Sequence, residues 1–215
     1  MLQIQRFVCN PFQENCYVVS DETNEAVIID CGAYDQAERK AITRYIEEKK
    51  LKPVHLLVTH AHIDHNFGNN TIYEQYGLQP EMSTQDEILY QRLKEQAIRL
   101  CGIEIDYEFP APGRLLSQQD SIQFGHHQLS IIPTPGHSKG SIFFYCEEEK
   151  LAFSGDTLFK MSIGRTDFDF GSFDEIMESM QLLKQLLPAE TTILPGHGPA
   201  TTMQEEMRST PYLRQ

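Results

Sequence analysis

The chain has 215 residues, 40% of them hydrophobic and 23% charged, values that are ordinary for a globular protein and argue against a disordered or fibrous chain. Its 18 basic and 31 acidic side chains give a formal net charge of −13, which argues against nucleic acid and against an anionic membrane surface as partners. The same charge at first argues against an anionic substrate.

The length is that of one domain or at most two. We find no internal repeat and no Gly/Ser-rich linker, so we expect one domain over residues 1–215. The N-terminal segment lacks a basic region followed by an apolar run, and no stretch approaches the roughly 20 apolar residues of a membrane span, so we expect a cytoplasmic protein. The five cysteines are widely spaced without a CxxC pair, which is typical of buried thiols rather than of disulfides or a thiolate metal site.

The first elements predicted along the chain are three strands, near Gln3–Val8, at Asn15–Ser20 and at Ala26–Asp30, which suggest an antiparallel meander. Asp35–Lys50 follows as an amphipathic helix, because its apolar residues recur at helical spacing. Val54–Thr59 then has the pattern of a buried strand.

Two helices are predicted next, a short one at Asn69–Tyr76 and a longer one at Thr84–Leu100. The apolar residues assigned to one face of the longer helix are Ile88, Leu89, Leu93, Ala97 and Ile98. This helix either packs on the face of a sheet or overhangs a site as a lid.

The second half of the chain returns to strands. They are predicted at Ser121–Phe124, Leu129–Pro133, Ser141–Cys146, Leu151–Ser154 and Thr191–Leu194. Ser172 and Glu175 match a capping box, which predicts the start of another amphipathic helix. Two sets of strands with intervening helices predict two packed sheets that are covered by helices on the outside.

Four potential metal ligands follow the strand Val54–Thr59 within six residues. They are His60, His62, Asp64 and His65. Imidazole nitrogens and carboxylate oxygens are usual ligands of zinc. A turn that leaves a strand can direct residues 60 and 62 one way and residues 64 and 65 another, which suits two adjacent metal ions.

Three further strands end in a turn that contains a glycine, and in each the glycine is followed directly by a histidine or an aspartate. The residues placed there are His137, Asp156 and His197. Glycine permits backbone angles that aim a side chain inward, and it lets the chain approach a site closely. Seven candidate ligands at four strand ends therefore predict a metal centre.

The segments THAHIDHNFG, TPGHSKGSIFF, FSGDTLF, GRTDFDFGS and LPGHGPATT followed by PYL resemble the metallo-β-lactamase superfamily, and within it the short glyoxalase II-like hydrolases. The resemblance spans residues 30–213 and implies an α/β fold, a four-layer αβ/βα sandwich of two packed β-sheets flanked by helices. It also implies a ligand set, in which His60, His62 and His137 hold one metal ion, Asp64, His65 and His197 hold the other, and Asp156 bridges the two.

Asp30 ends its strand as the early aspartate of that family does. There it resembles an outer residue that orients the ligand loop, and a plain turn or N-cap aspartate is the alternative. His55, His126 and His127 match no motif, and we predict that they are structural or solvent-exposed.

Arg165 lies in the GRTD segment and is the candidate for binding a substrate carboxylate, because a guanidinium offers two parallel donors. The alternative is a structural arginine paired with Asp167 or Asp169.

The expected chemistry follows from the absence of a Ser-His-Asp or Cys-His arrangement outside the metal ligands. We expect a metal-bridging hydroxide as nucleophile, since zinc lowers the pKa of bound water to about 7, with Asp64 and Asp156 as the catalytic carboxylates. A thiolate leaves with little acid assistance because thiol pKa values lie near 8.5, which favours thioester hydrolysis. A bridging carboxylate at Asp156 also resembles the thioester hydrolases of the superfamily and differs from its antibiotic-degrading lactamases, which lack that bridge.

The sequence therefore predicts a dinuclear hydrolase of small thioesters, such as S-lactoylglutathione or a related acyl-thiol, with two divalent metal ions. Zinc is expected, and iron or manganese also suit the ligand set. The alternatives left open are a mononuclear iron enzyme that resembles the persulfide dioxygenases and a non-catalytic scaffold. Two divalent cations, two carboxylates and a hydroxide give the metal centre a net charge of about +1. The charge of −13 on the whole chain therefore no longer argues against a small anionic thioester as substrate. The oligomeric state stays open.

Overall fold

A computed structural model describes residues 1–214, and its framework is a pair of six-stranded β-sheets. The strands of the first sheet are β1 (Gln3–Cys9), β2 (Glu14–Ser20), β3 (Glu25–Ile29), β4 (Lys52–Leu57), β5 (Pro80–Ser83) and β6 (Arg114–Leu116). They lie in chain order across the sheet. β1, β2 and β3 form the predicted antiparallel meander, and β3 to β6 run parallel to one another.

The remaining strands are β7 (Ser121–Phe124), β8 (His127–Pro133), β9 (Ile142–Cys146), β10 (Leu151–Gly155), β11 (Leu158–Phe159), β12 (Ser162–Ile163), β13 (Thr192–Pro195) and β14 (Thr201–Thr202). The second sheet has the order β14-β13-β10-β9-β8-β7, and β11 pairs with β12 in a small separate hairpin. β10 and β13 are parallel neighbours, so their C-terminal ends lie at the same edge.

The α-helices are α1 (Gln36–Glu48), α2 (Asn69–Tyr76), α3 (Glu87–Gln91), α4 (Leu93–Gln96), α5 (Phe173–Leu186) and α6 (Met203–Ser209). Helix α5 begins where the capping pattern predicts, because Ser172 Oγ accepts a hydrogen bond from the backbone N–H of Glu175 at 3.3 Å. None of the helices in residues 1–214 combines the length and the apolar character that a membrane crossing requires.

Alternating side chains on each strand produce the layers of the fold. Tyr17 and Val19 of β2 point into the core between the sheets, where they meet apolar residues of β8 to β10. Val18 of the same strand points the other way, into a cluster with residues of α1 and α2. Helices α5 and α6 cover the outer face of the second sheet. The predicted four-layer sandwich is therefore confirmed.

The prediction of one continuous helix at Thr84–Leu100 is wrong. A 3₁₀ turn at Thr84–Asp86 precedes α3, the backbone leaves the helical region at Arg92, and α4 passes into a π-helical turn at Ala97–Cys101. A π turn rotates the residues after it off the 3.6-residue face. Two residues assigned to the apolar face of the predicted helix are exposed, Ile98 within the π turn by 57% and Ile88 in α3 by 56%.

Strands β5 and β6 are absent from the predicted elements. Their sequences, PEMS and RLL, are short and lack the alternation that identifies a strand. They are strands because β4 and β5 provide parallel partners for them, which is a property of the sheet rather than of the segments.

Candidate metal centre

The seven predicted ligands lie together at one edge of the sandwich, where strands of both sheets end. His60, His62, Asp64 and His65 follow β4 of the first sheet. His137 lies in the connection from β8 to β9, Asp156 follows β10, and His197 follows β13, all in the second sheet. The site is therefore formed by the packing of the two sheets.

Two sets of these side chains, each with ligand atoms within 4.8 Å of one another, match the predicted ligand sets, and a third set, His60, His65 and Asp156, links them. One group consists of His60, His62 and His137, in which Nδ1 of His62 is 2.8 Å from Nε2 of His137. The other consists of Asp64, His65 and His197, in which Nε2 of His197 is 3.2 Å from Oδ2 of Asp64. Each group offers three ligand atoms, as a metal site with open positions requires.

Asp156 borders both groups. Its Oδ2 lies 3.6 Å from Nε2 of His137 and 3.5 Å from Nε2 of His197. Its Oδ1 lies 3.3 Å from Nε2 of His65. One carboxylate thus has an oxygen between a member of the first group and a member of the second.

Outer partners orient four of the five histidine rings through Nδ1, which leaves Nε2 directed toward the centre. The pairs are His60 with Thr59 Oγ1 at 3.1 Å, His65 with Asp30 Oδ2 at 3.1 Å, His137 with the Arg165 carbonyl at 2.7 Å and His197 with the Phe12 carbonyl at 2.9 Å. His62 instead presents Nδ1 to His137.

The buried donor atoms fit divalent metal ions. Nε2 of His60, Nε2 of His65 and Oδ1 of Asp156 are buried and have no hydrogen-bond partner in the described part of the chain. Leaving such an atom unpaired costs about 1–3 kcal/mol, and this cost disappears when the atom binds a metal. Imidazole and carboxylate together suit zinc, iron and manganese.

The electrostatics differ among the histidines of the centre: although burial opposes it, the carboxylates of Asp156 and Asp64 raise the pKa of His65 well above its usual value. Burial and the neighbouring His137 lower the pKa of His62 to about 3, so its imidazole is neutral and can act as a ligand. Burial, with His65 and His137, likewise holds the pKa of His60 well below its usual value. Although burial opposes it, the nearby His65 keeps the pKa of Asp156 well below the usual range, so that carboxylate is ionised.

Asp30 hydrogen-bonds residues that lie far from it in the chain, and its role as an outer residue of the ligand loop stays a prediction. Its Oδ1 accepts a hydrogen bond from the backbone N–H of Thr59 at 2.7 Å, across two neighbouring strands rather than within one turn. Its Oδ2 accepts from Thr59 Oγ1 at 2.6 Å and from Nδ1 of His65 at 3.1 Å. The side chain is 2% exposed, and it fixes both the end of β4 and the ring of a predicted ligand.

Arg165 pairs with Asp167 rather than with Asp169. Its Nε and Nη2 donate to the two carboxylate oxygens of Asp167 at 2.6 and 2.7 Å, and its guanidinium lies 4.0 Å from the ring centroid of Phe168. Asp169 is paired with Arg99. Arg165 also lines the pocket at the centre, so binding of a substrate carboxylate stays a prediction.

The three histidines outside the motifs lie away from the centre. His55 is half-buried and hydrogen-bonds Glu81. His127 is buried beside Asp21, 3.2 Å from its carboxylate, and His126 is exposed. This placement agrees with a structural or solvent-exposed role for them.

A cavity of about 400 Å³ opens over the two groups of ligands. Beside the ligands, its apolar walls are formed by Phe12, Leu100, Phe159 and Phe168, with Cys101 next to Leu100. A small substrate with an apolar portion fits such a wall.

The segment at 84–101 packs against the protein and contributes only its last residues to the cavity. Leu89, Leu93 and Ala97 are buried. The amide of Gln96 accepts from the backbone N–H of Ile63 at 3.1 Å and donates to the carbonyls of Ala61 and Leu89 at 3.0 and 2.9 Å. These contacts favour packing on the fold over a mobile lid.

The sequence analysis missed several residues that contact the centre from outside. Asp86 accepts hydrogen bonds from Ala61, beside His60 and His62, and from Ser138, beside His137. Gln96 accepts one from Ile63, in the loop between His62 and Asp64. Glu14 is fully buried near Asp30 and His65, and both of its carboxylate oxygens lack a hydrogen-bond partner within residues 1–214. Burial raises the pKa of Glu14 well above its ordinary value. Asp86 had a usable signal, because it follows a strand as the predicted ligands do, but the strand β5 was itself not predicted.

Comparison with known proteins gives a family match and full-length relatives. Residues 9–197 match a family model described as the metallo-beta-lactamase superfamily. Hydroxyacylglutathione hydrolase GloC from Haemophilus influenzae is 35% identical over 214 residues, which cover 99% of this chain and 98% of that protein.

Two solved structures are similar over nearly their whole length. BLEG-1 B3 metallo-beta-lactamase has a TM-score of 0.89 and 32% identity, with 99% of this chain and 100% of that chain covered. TTHA1623 in a di-iron-bound form has a TM-score of 0.85 and 33% identity, with 97% and 100% covered.

Proposed function

Because the chain belongs to the metallo-β-lactamase superfamily, we propose that it is a dinuclear metal-dependent hydrolase of small thioesters, with zinc as the expected metal. S-lactoylglutathione or a related acyl-thiol is the proposed substrate. One observation carries the proposal, namely that the carboxylate of Asp156 lies within 3.6 Å of ligand atoms from both groups. A carboxylate in that position suits a pair of metal ions better than a single one.

The protein residues that would hold the metal ions are the seven predicted ligands, His60, His62, His137, Asp64, His65, His197 and Asp156. When bound, divalent ions make hydroxide available near neutral pH and stabilise negative charge on a substrate carbonyl oxygen. The chain itself supplies the rest. Asp64 and Asp156 are the carboxylates in the cavity wall, and they orient the attacking water by accepting its hydrogen bonds. Phe12, Phe159 and Phe168 exclude bulk water from the acyl group.

The cavity supports a leaving group that needs no protein acid. Apart from the predicted ligands, its described lining residues with a titratable side chain are Cys101 and Arg165. Burial, with the charge of Asp64, raises the pKa of Cys101, so its thiol is a poor proton donor at neutral pH. A thiolate, whose parent thiol has a pKa near 8.5, departs without protonation.

Two alternatives are addressed by the same geometry. A mononuclear iron enzyme would need only three of the seven ligand side chains, whereas two complete groups are present. A non-catalytic scaffold gives no reason for three buried donor atoms without a partner. Both facts support a dinuclear enzyme.

The test is metal quantification of the natively purified protein combined with a substrate panel. The panel holds S-lactoylglutathione, a thioester with an uncharged thiol, a β-lactam, a phosphodiester and a persulfide. We expect two divalent ions per chain and thiol release from the thioesters, with no turnover after chelation. One iron per chain, with oxygen consumed in the presence of the persulfide and no thiol released, would overturn the proposal. A preference for the β-lactam would also overturn the proposal, because it would make the activity that of a lactamase, as in the name of the similar structure BLEG-1.

A further inference from the structure

Asp86 is a buried aspartate that lies outside the ligand set and hydrogen-bonds two ligand-bearing segments. It is 1% exposed. Its Oδ2 accepts from the backbone N–H of Ala61 at 2.9 Å and from Ser138 Oγ at 2.7 Å. Its Oδ1 accepts from the backbone N–H of Gly140 at 2.6 Å. Three donors from two segments thus converge on one carboxylate.

The atoms that Asp86 contacts lie directly beside histidines of the three-histidine group, although the loop of Ala61 also continues to Asp64 and His65. Ala61 lies between His60 and His62, and Ser138 follows His137 directly. The two segments come from different sheets, yet Nδ1 of His62 and Nε2 of His137 are 2.8 Å apart. A carboxylate that binds both backbones holds these segments at a fixed separation.

The close approach of Asp86 to the backbone at residue 140 requires a glycine there. A Cβ atom at residue 140 would lie 2.5 Å from the backbone nitrogen of Asp86, a distance that no side chain could occupy. Glycine at position 140 therefore permits the contact. Ser138 Oγ is additionally 2.8 Å from Ser141 Oγ, which orients the hydroxyl that reaches Asp86.

The other group of ligands has separate outer contacts. His65 is held by Asp30, His197 by the Phe12 carbonyl, and the Asp64 carbonyl accepts from Asn10 Nδ2 at 2.8 Å. Within residues 1–214, Asp86 hydrogen-bonds neither His65 nor His197. Its direct hydrogen bonds are therefore made beside the three-histidine group.

We propose that Asp86 is a positioning residue that sets the geometry of the three-histidine group, so that its loss weakens metal binding at that group and spares the Asp64, His65 and His197 group. The inference rests on the proposed function in so far as the three histidines hold a metal ion. Asparagine at position 86 has nearly the same shape but replaces one acceptor oxygen by an NH₂ group, which then faces an N–H or O–H donor. The converging donors are left partly unpaired, and the two segments separate.

The experiment measures the affinity of both metal equivalents for Zn²⁺ by chelator competition, in the wild type and in Asp86→Asn. His62→Ala and His197→Ala serve as references that identify which equivalent belongs to which group. We expect Asp86→Asn to weaken the equivalent that His62→Ala abolishes by about 10–100-fold, the usual effect of losing an outer partner of a ligand. The equivalent that His197→Ala abolishes keeps its affinity.

Asp21→Asn is the matched control. Asp21 is also buried and accepts hydrogen bonds from Thr23, His126 and His127, but it lies on the β2–β3 turn. We expect its two Zn²⁺ affinities to equal those of the wild type. Ser138→Ala removes one of the three donors to Asp86. It is expected to lower the affinity for the Zn²⁺ equivalent that His62→Ala abolishes, by a smaller factor than Asp86→Asn does, and it replaces Asp86→Asn in the test if that variant does not fold.

Unchanged affinity of both equivalents in Asp86→Asn, or in Ser138→Ala if that is the variant that folds, overturns the inference. Equal weakening of both equivalents also overturns it, because that result indicates general loosening of the fold. A wild-type protein that binds two Zn²⁺ ions but releases no thiol from any thioester contradicts the proposed function and not this inference.

Discussion

Asp30 accepts a hydrogen bond from Nδ1 of His65 at 3.1 Å, on the side of the imidazole that faces away from the metal-ligand groups. The opposite nitrogen of the ring, Nε2, lies 3.3 Å from Oδ1 of Asp156. The ring is thus held between an outer carboxylate and the carboxylate proposed to bridge the metals. Its tautomer and orientation follow from Asp30, which makes Asp30 a sensitive position for metal binding.

We expect Asp30→Asn to weaken Zn²⁺ binding by about 10–100-fold, because an amide holds the His65 ring less firmly than a carboxylate does. Asparagine is the appropriate replacement, since residue 30 has a φ of 52° and asparagine tolerates that region. Chelator competition measures the effect. The exposed Asp106→Asn is the control, and wild-type affinity in Asp30→Asn would show that Asp30 is not needed to hold the His65 ring for metal binding.

Asp156→Ala is expected to lower kcat/KM for thioester hydrolysis by more than about 100-fold, the upper end of the loss when only an outer partner of a ligand is removed. The larger effect is expected because Asp156 contacts both groups directly. The sheets do not depend on it, so the circular dichroism spectrum should be unchanged. Asp174→Ala, an exposed aspartate of α5, serves as control. An active Asp156→Ala protein with a normal metal content would remove Asp156 from the site.

Asp167→Asn tests whether Arg165 can bind an anionic substrate. The pair is exposed, with side chains 59% and 66% accessible, and exposed pairs contribute at most about 1 kcal/mol. Releasing the guanidinium should therefore lower KM for an anionic thioester by up to about fivefold and leave KM for an uncharged thioester unchanged. Asp169→Asn, which frees Arg99 instead, is the matched control. Equal changes for both substrates would show that Arg165 is purely structural.

The stability of the protein should depend on pH through His55. Burial lowers the pKa of this histidine, but the hydrogen bond and charge of Glu81 raise it by more, so the net shift is upward. The folded state then binds more protons, and the stabilisation is fully present below the unfolded pKa of about 6.5 and is lost as pH rises through the raised value. His55→Gln should accordingly lower the free energy of unfolding by about 1 kcal/mol more at pH 5.5 than at pH 9.

Urea unfolding at the two pH values measures this difference. The exposed His126→Gln is the control and should show none. The opposite pH dependence for His55→Gln would contradict the assigned direction of the shift.

The candidate ligands could be recognised in the sequence because they follow four strand ends, four of them after β4 and one after each of β8, β10 and β13. His60 to His65 after β4, and the glycine turns at Asp156 and His197, are local features that specify both the residue type and its place at a strand end. The two-sheet architecture followed in the same way from the alternation of strand and helix patterns.

Other features were decided by contacts between distant segments. Strand β5 exists because β4 lies beside it, and the helix predicted at Thr84–Leu100 is broken at Arg92 and continues as α4, whose Gln96 bonds the loop of the predicted ligands. Likewise, Arg165 could pair with either neighbouring aspartate until the position of Arg99 assigned Asp169 to another partner. Such choices depend on which groups face each other after packing.

The sequence by itself therefore determined the fold family, the two sheets and the seven side chains gathered at their edge. The tertiary structure decided the contacts around those side chains: Asp30 accepts a hydrogen bond from His65, and Asp86 accepts hydrogen bonds from Ala61 and Ser138, which lie beside His60, His62 and His137. The physical reason is that hydrogen bonds and metal sites require atoms within about 3 Å. Only the packing of one sheet on the other brings residues as far apart in the chain as His62 and His137 to that distance.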